Sequence, residues 1–352
     1  MAFWPSVDGN ISAVETAIGG DDMARGDDAD VIVVGAGLCG LAAARALQAD
    51  GIRAAALDKG RSVGGRLATR RILDARLDHG AQFFTQRGPE MEALVAELDG
   101  AGILRTWCHG FGSDAGHPRY VVSGGMNGLA KFLASGLGDV RTGVEVRAVR
   151  RTARGWRAEW DGGALHAPAL LMTAPVPQTL ALLDRGMVAI DTVTRAGLEE
   201  IDYHATIALL VVLDGPPALP PPGAVQPTSG PFGFVADNAA RLGGGRHALT
   251  LHCTDDFSRD RLDTDPDALA RELLDAARVH IGEAGVAEAQ IKTWRYATPQ
   301  QRWPEPCCVL VDGDEPLVVA GDAFGGAHVE GAYMSGLAAA AALGRVRSPR
   351  GE

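Results

Sequence analysis

The sequence is poor in the features that mark an integral membrane protein, a metalloprotein or a disulfide-bonded secreted protein. No apolar run reaches transmembrane length, so no membrane-spanning helix is expected. The five cysteines form no C-x-x-C pair and the nine histidines show no ligand spacing, so we predict reduced thiols and no metal site. The net charge of −11 argues against nucleic acid or an anionic membrane surface as a partner.

Two further absences concern the start of the chain and its catalytic groups. Residues 1–29 lack the basic start and the continuous apolar core of a signal peptide, and they carry several aspartates and glycines. We therefore expect a mobile acidic leader and a cytoplasmic protein. No Ser/His/Asp set is recognisable, so hydrolysis by an activated serine is not indicated.

The stretch from residue 31 to residue 66 carries the strongest signal. Val31–Val34 is typical of a buried strand, and Gly35, Gly37 and Gly40 follow it as G-x-G-x-x-G, with a helix predicted after them. The first glycine permits the tight turn, the second lets a pyrophosphate approach the backbone, and the third lets helix and strand pack closely. A second predicted strand ends at Asp58, whose carboxylate can accept hydrogen bonds from a ribose diol. This context predicts a dinucleotide site at a helix N-terminus.

A second glycine–arginine motif follows directly. Residues 60–66 have the pattern G-R-x-x-G-G-R, whose glycines let the chain pass close to a cofactor and whose arginines can bind a diphosphate. With this motif the chain resembles the FAD-dependent amine-oxidase superfamily. Three segments are similar to its renalase-like branch of NAD(P)/FAD-dependent oxidoreductases: L-D-H-G-A-Q-F-F at 77–84, V-A-G-D-A-F at 319–324 and V-E-G-A-Y-M-S-G at 329–336. The middle of the chain departs from that branch at 255–258 and 292–293.

The resemblance implies an α/β fold with a Rossmann-type FAD-binding domain, an inserted β-meander and a second α+β substrate domain. We assign residues 30–80, 120–177 and 315–346 to the first domain, 81–119 and 178–314 to the second, and 347–352 to a tail. Helices are predicted over Pro89–Asp99, over Pro266–Ile281 with Asp265 as N-cap, and from near Gly331 to Leu343. Ala169–Thr173 is predicted as a parallel strand that returns to the main sheet.

FAD, bound non-covalently, is the implied cofactor. The residues that the motifs and the resemblance assign to it are Gly35, Ala36, Gly37, Leu38, Cys39, Gly40, Asp58, Lys59, Arg61, Gly64, Gly65, Arg66, Ala81, Gln82, Phe83, Val146, Gly321, Asp322, Gly331 and Ala332. The resemblance implies that Val146 meets the adenine through its backbone and that Asp322 holds the ribityl chain. It also places the helix N-terminus near Gly331 at the pyrimidine edge of the flavin. We expect Glu330, whose charge would oppose that arrangement, to cap the helix or to meet an arginine.

The implied chemistry is hydride transfer from a carbon next to nitrogen to flavin N5, with reoxidation by O₂ to give H₂O₂. In the renalase-like branch the implied substrates are the 2- and 6-dihydro isomers of NAD(P), which become NAD(P)⁺. No residue is assigned as a catalytic base, and the candidates near the flavin are Gln82, His79, Trp294 and Tyr296. Trp294, Arg295 and Tyr296 are predicted to bind substrate, with Arg295 on its phosphates, although core packing explains the aromatic residues equally well.

Three alternatives stay open. The first is an oxidase of a small amine, for which members of the superfamily often use a lysine–water group near N5. Lys59 and Lys131 are assigned elsewhere, so Lys292 is the remaining lysine of the chain. The second alternative is a desaturase-type flavoprotein, and the third is a non-enzymatic flavin- or nucleotide-binding protein.

Overall fold

The computed structural model describes residues 29–111, 116–326 and 328–344. The expected acidic leader, apart from Ala29, and the tail at 347–352 lie outside these described residues. Within them the strands are β1 (Val31–Val34), β2 (Ala54–Asp58), β3 (Thr69–Ile72), β4 (Ala75–Asp78), β5 (Leu104–Cys108), β6 (Arg119–Val122), β7 (Asp139–Thr142), β8 (Val146–Thr152), β9 (Gly155–Trp160), β10 (Gly163–Ala167), β11 (Ala169–Met172), β12 (Tyr203–Leu213), β13 (Ala224–Val225), β14 (Phe232–Asp237), β15 (Ala248–Cys253), β16 (Val286–Pro299), β17 (Cys308–Val311) and β18 (Leu317–Val319). The helices are α1 (Leu38–Ala49), α2 (Pro89–Gly100), α3 (Asn127–Ala134), α4 (Val176–Arg185), α5 (Thr192–Glu199), α6 (Asn238–Leu242), α7 (Asp255–Arg259), α8 (Pro266–Ile281) and α9 (His328–Leu343).

The first layer is a six-stranded sheet with the order β17-β18-β11-β1-β2-β7. Its strands are parallel apart from β17, which is antiparallel to β18. Along β1, Val31 and Val33 pack on the side of α1, α3 and α9, whereas Ile32 and Val34 pack on the side of the meander formed by β8, β9 and β10. Both faces of the sheet are therefore buried, which explains why β1 and β11 are apolar at every position.

The second sheet has the order β13-β14-β15-β12-β16, and its pairs are antiparallel. Side chains alternate along its central strand β12. Ile207 and Leu209 belong to one apolar cluster with Leu269 and Leu273 of α8, whereas Leu210 belongs to another with the hairpin of β3 and β4. The sheet is thus enclosed between a helix and a hairpin.

Helix α8 has the bounds that the sequence predicts. The Asp265 side chain accepts a hydrogen bond from the backbone N–H of Ala268 at 2.9 Å, so Asp265 is the N-cap. Pro266 occupies the first helical position, and Gly282 follows the last residue. The prediction of this helix is therefore confirmed at both ends.

Several elements differ from the sequence prediction, among them α4, α5, β7 and β14, which are not predicted, and three others that bear on the cavity or the domain bounds. The long strand β16 is not predicted, because most of its side chains are exposed or half-buried and no apolar alternation marks it. Helix α9 begins at His328, three residues before the predicted start near Gly331. Strand β17 lies in the segment assigned to the substrate domain but pairs with β18 in the first sheet. The division into two domains stays a prediction, and this pairing places its last boundary before Cys308.

Within the described ranges, no helix combines the length and the apolarity that crossing a bilayer requires.

Candidate active site

A cavity of about 1940 Å³ is lined by residues from both sheets and from the loops between them. Pockets for single small ligands are typically about 300–1,000 Å³, so this cavity has room for a dinucleotide and a second flat molecule. One end is lined by the loop between β1 and α1 and by the end of β2, and we name it the nucleotide end. The other end, which we name the substrate end, is lined by Phe83, Arg119, Phe234, His252 and Trp294.

The three glycines of the first motif meet three different surroundings. Gly35 has φ +115°, and a Cβ there would lie 2.4 Å from Thr173 Oγ1, which itself donates to the carbonyl oxygens of Val34 and Gly35. A Cβ on Gly40 would lie 2.0 Å from the Gly35 carbonyl oxygen. Among the described residues, a Cβ on Gly37 would meet no atom within 4 Å beyond its own residue and its two chain neighbours. The first and third glycines are therefore required by packing, and the second leaves the backbone open to a ligand, as FAD requires.

Asp58 connects the two glycine motifs. Its Oδ2 accepts a hydrogen bond from the Ala36 N–H at 2.7 Å, and its Oδ1 accepts one from the Gly60 N–H at 2.7 Å. The Gly64 N–H donates to the Ala36 carbonyl oxygen at 2.8 Å. Each carboxylate oxygen can accept further hydrogen bonds. The loop is thus held in place by Asp58 while the carboxylate keeps acceptor capacity for a ribose diol.

Arg66 and Asp322 bind each other in the cavity wall. The two guanidinium nitrogens of Arg66 lie 2.6 and 2.7 Å from the two carboxylate oxygens of Asp322. Arg66 also donates to the Tyr296 and Ala297 carbonyl oxygens on β16. The pair with Asp322 raises the pKa of Arg66 against the opposing effect of burial. Arg66 was predicted to bind the diphosphate. In the structure it connects Asp322, in the loop before α9, to strand β16. Asp322 retains lone pairs that can accept a hydrogen bond from a ligand hydroxyl.

Most residues predicted to bind cofactor or substrate line this one cavity. They are Gly35, Gly37, Leu38, Cys39, Asp58, Lys59, Gly64, Gly65, Arg66, Ala81, Gln82, Phe83, Val146, Trp294, Arg295, Tyr296, Gly321, Asp322, Gly331 and Ala332. Four predicted residues do not line it. Ala36 and Gly40 are buried behind the glycine turn, Arg61 is exposed to water, and His79 is covered by Trp294.

His79 holds the loop beside the cavity. Its ring stacks on Trp294 with centroids 5.2 Å apart, and its carbonyl oxygen accepts from Trp294 Nε1 at 2.7 Å and from His252 Nε2 at 3.1 Å. Burial, assisted for His79 by nearby cations, lowers the pKa of both histidines to about 4. Both rings are therefore neutral at pH 7, and His79 acts here as a support for the loop.

Gln82 is buried and faces the cavity. Its Nε2 donates to the Asp78 carbonyl oxygen at 2.6 Å and to the Gly80 carbonyl oxygen at 3.1 Å. Its Oε1 has no hydrogen-bond partner in the part of the chain that the structure describes. The amide is thus fixed in orientation and leaves an acceptor for a ligand N–H.

A buried ion pair fixes the same loop from behind. Asp78 and Arg241 are both inaccessible to solvent, and their carboxylate oxygen and guanidinium nitrogen lie 2.6 Å apart. The Met126 N–H also donates to Asp78, while Arg241 donates to the Gln82 carbonyl oxygen at 2.8 Å and to Asn238 at 2.6 Å. Arg241 could not be predicted from the sequence, because no motif surrounds it in its short helix α6.

Four aromatic rings pack together at the substrate end, and we name them the aromatic cluster: Phe83, Trp107, Phe111 and Phe234. Phe83 and Phe234 line the cavity. The centroid distances between neighbouring rings run from 5.2 to 6.4 Å. The Arg119 guanidinium lies 4.2 Å from the Phe111 centroid and 5.2 Å from the Phe83 centroid. Arg119, Phe234 and His252 carry no sequence signal, since they come from β6, β14 and β15 and share no motif.

Arg295 and Tyr296 have partners of their own. Arg295 forms an ion pair with Asp263, and its side chain is 53% exposed. The Tyr296 ring packs edge-on against Tyr203, with centroids 5.6 Å apart. The predicted contact of Arg295 with substrate phosphates therefore competes with a carboxylate in the same chain.

Glu330 caps a different helix from the one in which it lies. Its Oε1 accepts hydrogen bonds from the backbone N–H groups of Gly88 at 2.6 Å and Arg87 at 3.2 Å, at the start of α2. The charge of Glu330 is thus engaged away from the first turn of α9. Gly331 and Ala332 in that turn line the cavity, where the helix dipole favours a negative charge on a ligand.

Two family models together match most of the chain. Residues 33–98 match the model of an NAD(P)-binding Rossmann-like domain, and residues 103–344 match the model of the flavin containing amine oxidoreductase family. A protein of Mycobacterium tuberculosis, named provisionally as the flavin-containing monoamine oxidase AofH, is 34% identical over 134 residues. This match covers 38% of the chain but 28% of the relative, so the chain spans little more than a quarter of that protein.

Solved structures are similar over most of the chain. A putrescine oxidase bound to putrescine has a TM-score of 0.68 at 17% identity, over 89% of this chain and 98% of its own. The cyclohexylamine oxidase from Brevibacterium oxydans IH-35A has a TM-score of 0.65 at 15% identity, over 90% of this chain and 99% of its own. These likenesses establish the fold, and the family model covers more than half of the sequence. The chain therefore belongs to the flavin-containing amine oxidoreductases, FAD-dependent oxidoreductases that combine a Rossmann-type domain with a second α+β domain.

Proposed function

We propose that this chain is a cytoplasmic FAD-dependent oxidase that converts the 2- and 6-dihydro isomers of NAD(P) to NAD(P)⁺ and passes the electrons to O₂. The observation that carries the proposal is the composition of the substrate end. Flat aromatic walls stand there beside His252, whose pKa burial lowers to about 4. In this proposal FAD is held by those sequence-assigned residues that line the cavity, with Gly37, Asp58 and Asp322 as its principal contacts.

The proposed reaction needs no proton transfer, so it can proceed in a site whose walls are aromatic rings and a neutral histidine. The lone pair of the dihydronicotinamide ring nitrogen assists departure of the hydride from the neighbouring carbon. When bound, FAD supplies the two-electron acceptor. Phe83 and Phe234 offer flat faces to the nicotinamide ring, and the Gln82 Oε1 can accept a hydrogen bond from an N–H of either ligand. Trp294, fixed by its bond to the His79 carbonyl oxygen, excludes water from one side.

The lysines support this substrate over a simple amine. All three lysines of the chain are described by the structure. Lys59 lines the nucleotide end of the cavity, and neither Lys131 nor Lys292 lines the cavity. A lysine–water group beside the flavin, as the superfamily's amine sites often use, has no candidate among them.

An oxidase of a small amine is the second candidate function. The similar proteins favour it, because the named curated relative is a monoamine oxidase and the two similar structures are oxidases of putrescine and of cyclohexylamine. Aromatic walls also suit the substituents of an amine.

One anaerobic experiment separates the two candidates. The purified flavoprotein is mixed separately with 6-dihydro-NAD, with NADH and with a panel of primary amines, and the oxidised flavin band is followed. Rapid bleaching by the 6-dihydro isomer, with NADH and the amines slower by orders of magnitude, is the expected result. Bleaching by an amine alone would transfer the assignment to the second candidate, and bleaching by neither class would remove the support for both.

A further inference from the structure

A second cavity lies beside the hairpin of β3 and β4, between that hairpin, the turn before α3 and the segment from α6 to β15. Its volume is about 570 Å³, which falls in the range of about 300–1,000 Å³ that small ligands fill. Its charged lining residues are Arg71, Asp74, Arg76 and Arg246, and we name it the arginine cavity. No described residue lines both this cavity and the candidate active site.

Arg71 and Arg76 lie directly opposite each other in the hairpin. Residues in this position of an antiparallel pair point to the same face, and like charges there destabilise the pair. Both residues are exposed, and neither guanidinium forms a hydrogen bond or an ion pair with any described residue. One wall of the arginine cavity therefore presents two neighbouring positive charges that a ligand can reach.

The aspartate of the arginine cavity does not neutralise these two charges. Asp74 pairs with Arg246, whose Nη1 lies 3.1 Å from the Asp74 Oδ1, and Arg246 Nε also donates to the Leu213 carbonyl oxygen at 3.0 Å. Three arginines and one aspartate give the lining a formal charge of +2, in a chain whose net charge is −11. A phosphate monoester carries a charge of about −1.5 to −2 at pH 7, so it matches the lining in sign and in size.

Further hydrogen-bond donors lie around the two unpaired guanidinium groups. The Ser123 hydroxyl group belongs to the lining of the cavity. A Cβ on Gly243 would lie 1.4 Å from Arg105 Nη1, and the glycine that follows Gly243 lines the cavity. Arg105 thus places another guanidinium at the rim, and it too has no acceptor among the described residues. Planar guanidinium groups bind phosphate oxygens in bidentate fashion, and a hydroxyl group donates a further hydrogen bond.

We propose that the arginine cavity is a second binding site, which takes a small anion that carries a phosphate group. Bound between Arg71 and Arg76, the phosphate accepts hydrogen bonds from both guanidinium groups and cancels their mutual repulsion. The site is separate from the candidate active site, so it does not depend on which donor reduces the flavin.

The test measures the binding of inorganic pyrophosphate to the FAD-loaded protein by isothermal titration calorimetry, at an ionic strength held constant with sodium chloride. ADP is titrated in a second series, which distinguishes a nucleotide from a free phosphate as the source of the phosphate group. Arg71→Gln and Arg76→Gln are compared with Arg271→Gln, which removes an exposed arginine of α8 that lines neither cavity. Flavin absorbance and urea unfolding are recorded for each variant with and without pyrophosphate.

Pyrophosphate is expected to bind the parent at one site per chain without changing the flavin absorbance. Arg71→Gln and Arg76→Gln should each raise its Kd about 10- to 100-fold, the range for losing a hydrogen bond to a charged group, whereas Arg271→Gln should leave the Kd unchanged. Without pyrophosphate, both cavity variants should be at least as stable as the parent, because each removes a like-charge contact. Pyrophosphate should raise the urea midpoint of the parent more than that of either cavity variant.

The ADP series supports the site in either of two ways. A lower Kd for ADP than for pyrophosphate, lost in Arg71→Gln, would identify a nucleotide as the preferred ligand. A higher Kd, equally dependent on Arg71, would identify a free phosphate or diphosphate.

Three results would overturn the proposal. The first is the absence of saturable pyrophosphate binding, or an equal loss of affinity in Arg271→Gln. The second is a change in flavin absorbance that follows the titration, because it would place the anion in the candidate active site. The third is a lower stability of both cavity variants without the anion, which would give these arginines a structural role. Failure of the proposed oxidase reaction would change none of these readouts, so the two proposals fall separately.

Discussion

The variants Gly37→Ala and Gly40→Ala should have different effects: the first should weaken FAD binding, and the second should destabilise the fold. The two glycines lie three positions apart in one motif, and the same methyl group is added in each variant. At Gly37 the added Cβ meets no atom within 4 Å and the backbone has φ −74°, which alanine adopts freely. At Gly40 the added Cβ would lie 2.0 Å from the Gly35 carbonyl oxygen.

The structure sets the size of each effect. At Gly40 the Cβ is about 1.4 Å inside the 3.4 Å limit of ordinary contact, so helix α1 must move away from β1. Overpacking of this kind costs about 1–3 kcal/mol, and the better helix propensity of alanine returns at most about 1 kcal/mol. We expect Gly40→Ala to lower the free energy of unfolding of the apoprotein by about 1–2 kcal/mol. Gly37→Ala should change it by less than about 1 kcal/mol.

The affinity for FAD should be affected more by Gly37→Ala than by Gly40→Ala. A methyl at Gly37 stands where the pyrophosphate approaches the backbone, and losing a hydrogen bond to a charged group costs about 1.5–3 kcal/mol. Gly37→Ala should therefore raise the Kd of FAD about 10- to 100-fold, measured by fluorescence titration of the apoprotein, while urea unfolding of the apoprotein stays near the parent. An unchanged Kd in Gly37→Ala, or a loss of affinity in both variants that merely tracks their stability, would refute the reasoning.

Three further outcomes follow from buried or capping groups. Arg241→Met leaves Asp78 charged and unpaired in the interior, so urea unfolding should show a loss of about 3–5 kcal/mol, and Asp78→Asn added to it should recover part of that loss. Burial lowers the pKa of His252 from 6.5 to about 4, so its stabilising contribution is complete above pH 6.5 and is lost as the pH falls towards 4. The loss amounts to about 3 kcal/mol, at 1.36 kcal/mol for each pKa unit. His252→Gln should make this part of the pH–stability curve shallower but not flat, because burial also lowers the pKa of His79 to about 4. Asp265→Ala removes the N-cap of α8 and should cost about 1 kcal/mol, whereas Asp267→Ala, two residues further on in the first turn, should cost less.

Each of these outcomes has a result that would contradict it. Full stability of Arg241→Met would mean that water or another cation reaches Asp78. A stability curve that is flat between pH 4 and 6.5 in the parent would remove the argument for His252. Equal effects of the two α8 aspartates would assign the stabilisation to the helix dipole rather than to the cap.

The nucleotide end could be predicted because its chemistry is local in sequence. The turn at Gly35, the open backbone at Gly37 and the close packing at Gly40 depend on residues within one strand–turn–helix unit, so spacing alone indicates them. Helix α8 was predictable for the same reason, since its cap, its apolar face and its terminal glycine are contiguous.

The substrate end could not be predicted because its residues converge from distant strands. Arg119, Phe234 and His252 lie on three strands of two sheets, and each looks like an ordinary strand residue in the sequence. Strand β16, which carries Trp294, sits at an edge with mostly half-exposed side chains, so no apolar alternation marks it. The ion pair between Arg66 and Asp322 could not be predicted either, because its two residues are 256 positions apart in the sequence.

That separation determines when the protein can acquire its cofactor during synthesis. Arg66 leaves the ribosome long before Asp322. Strand β18, which pairs into the first sheet, is made just before Asp322, and helix α9, which contributes to the cavity wall, just after it. At about 5–20 residues per second, the 256 residues between the two partners take roughly 10–50 s to translate. The nascent chain therefore carries its glycine motifs without a finished binding site until the segment from β18 to α9 has been made, and we expect flavin loading to follow that step.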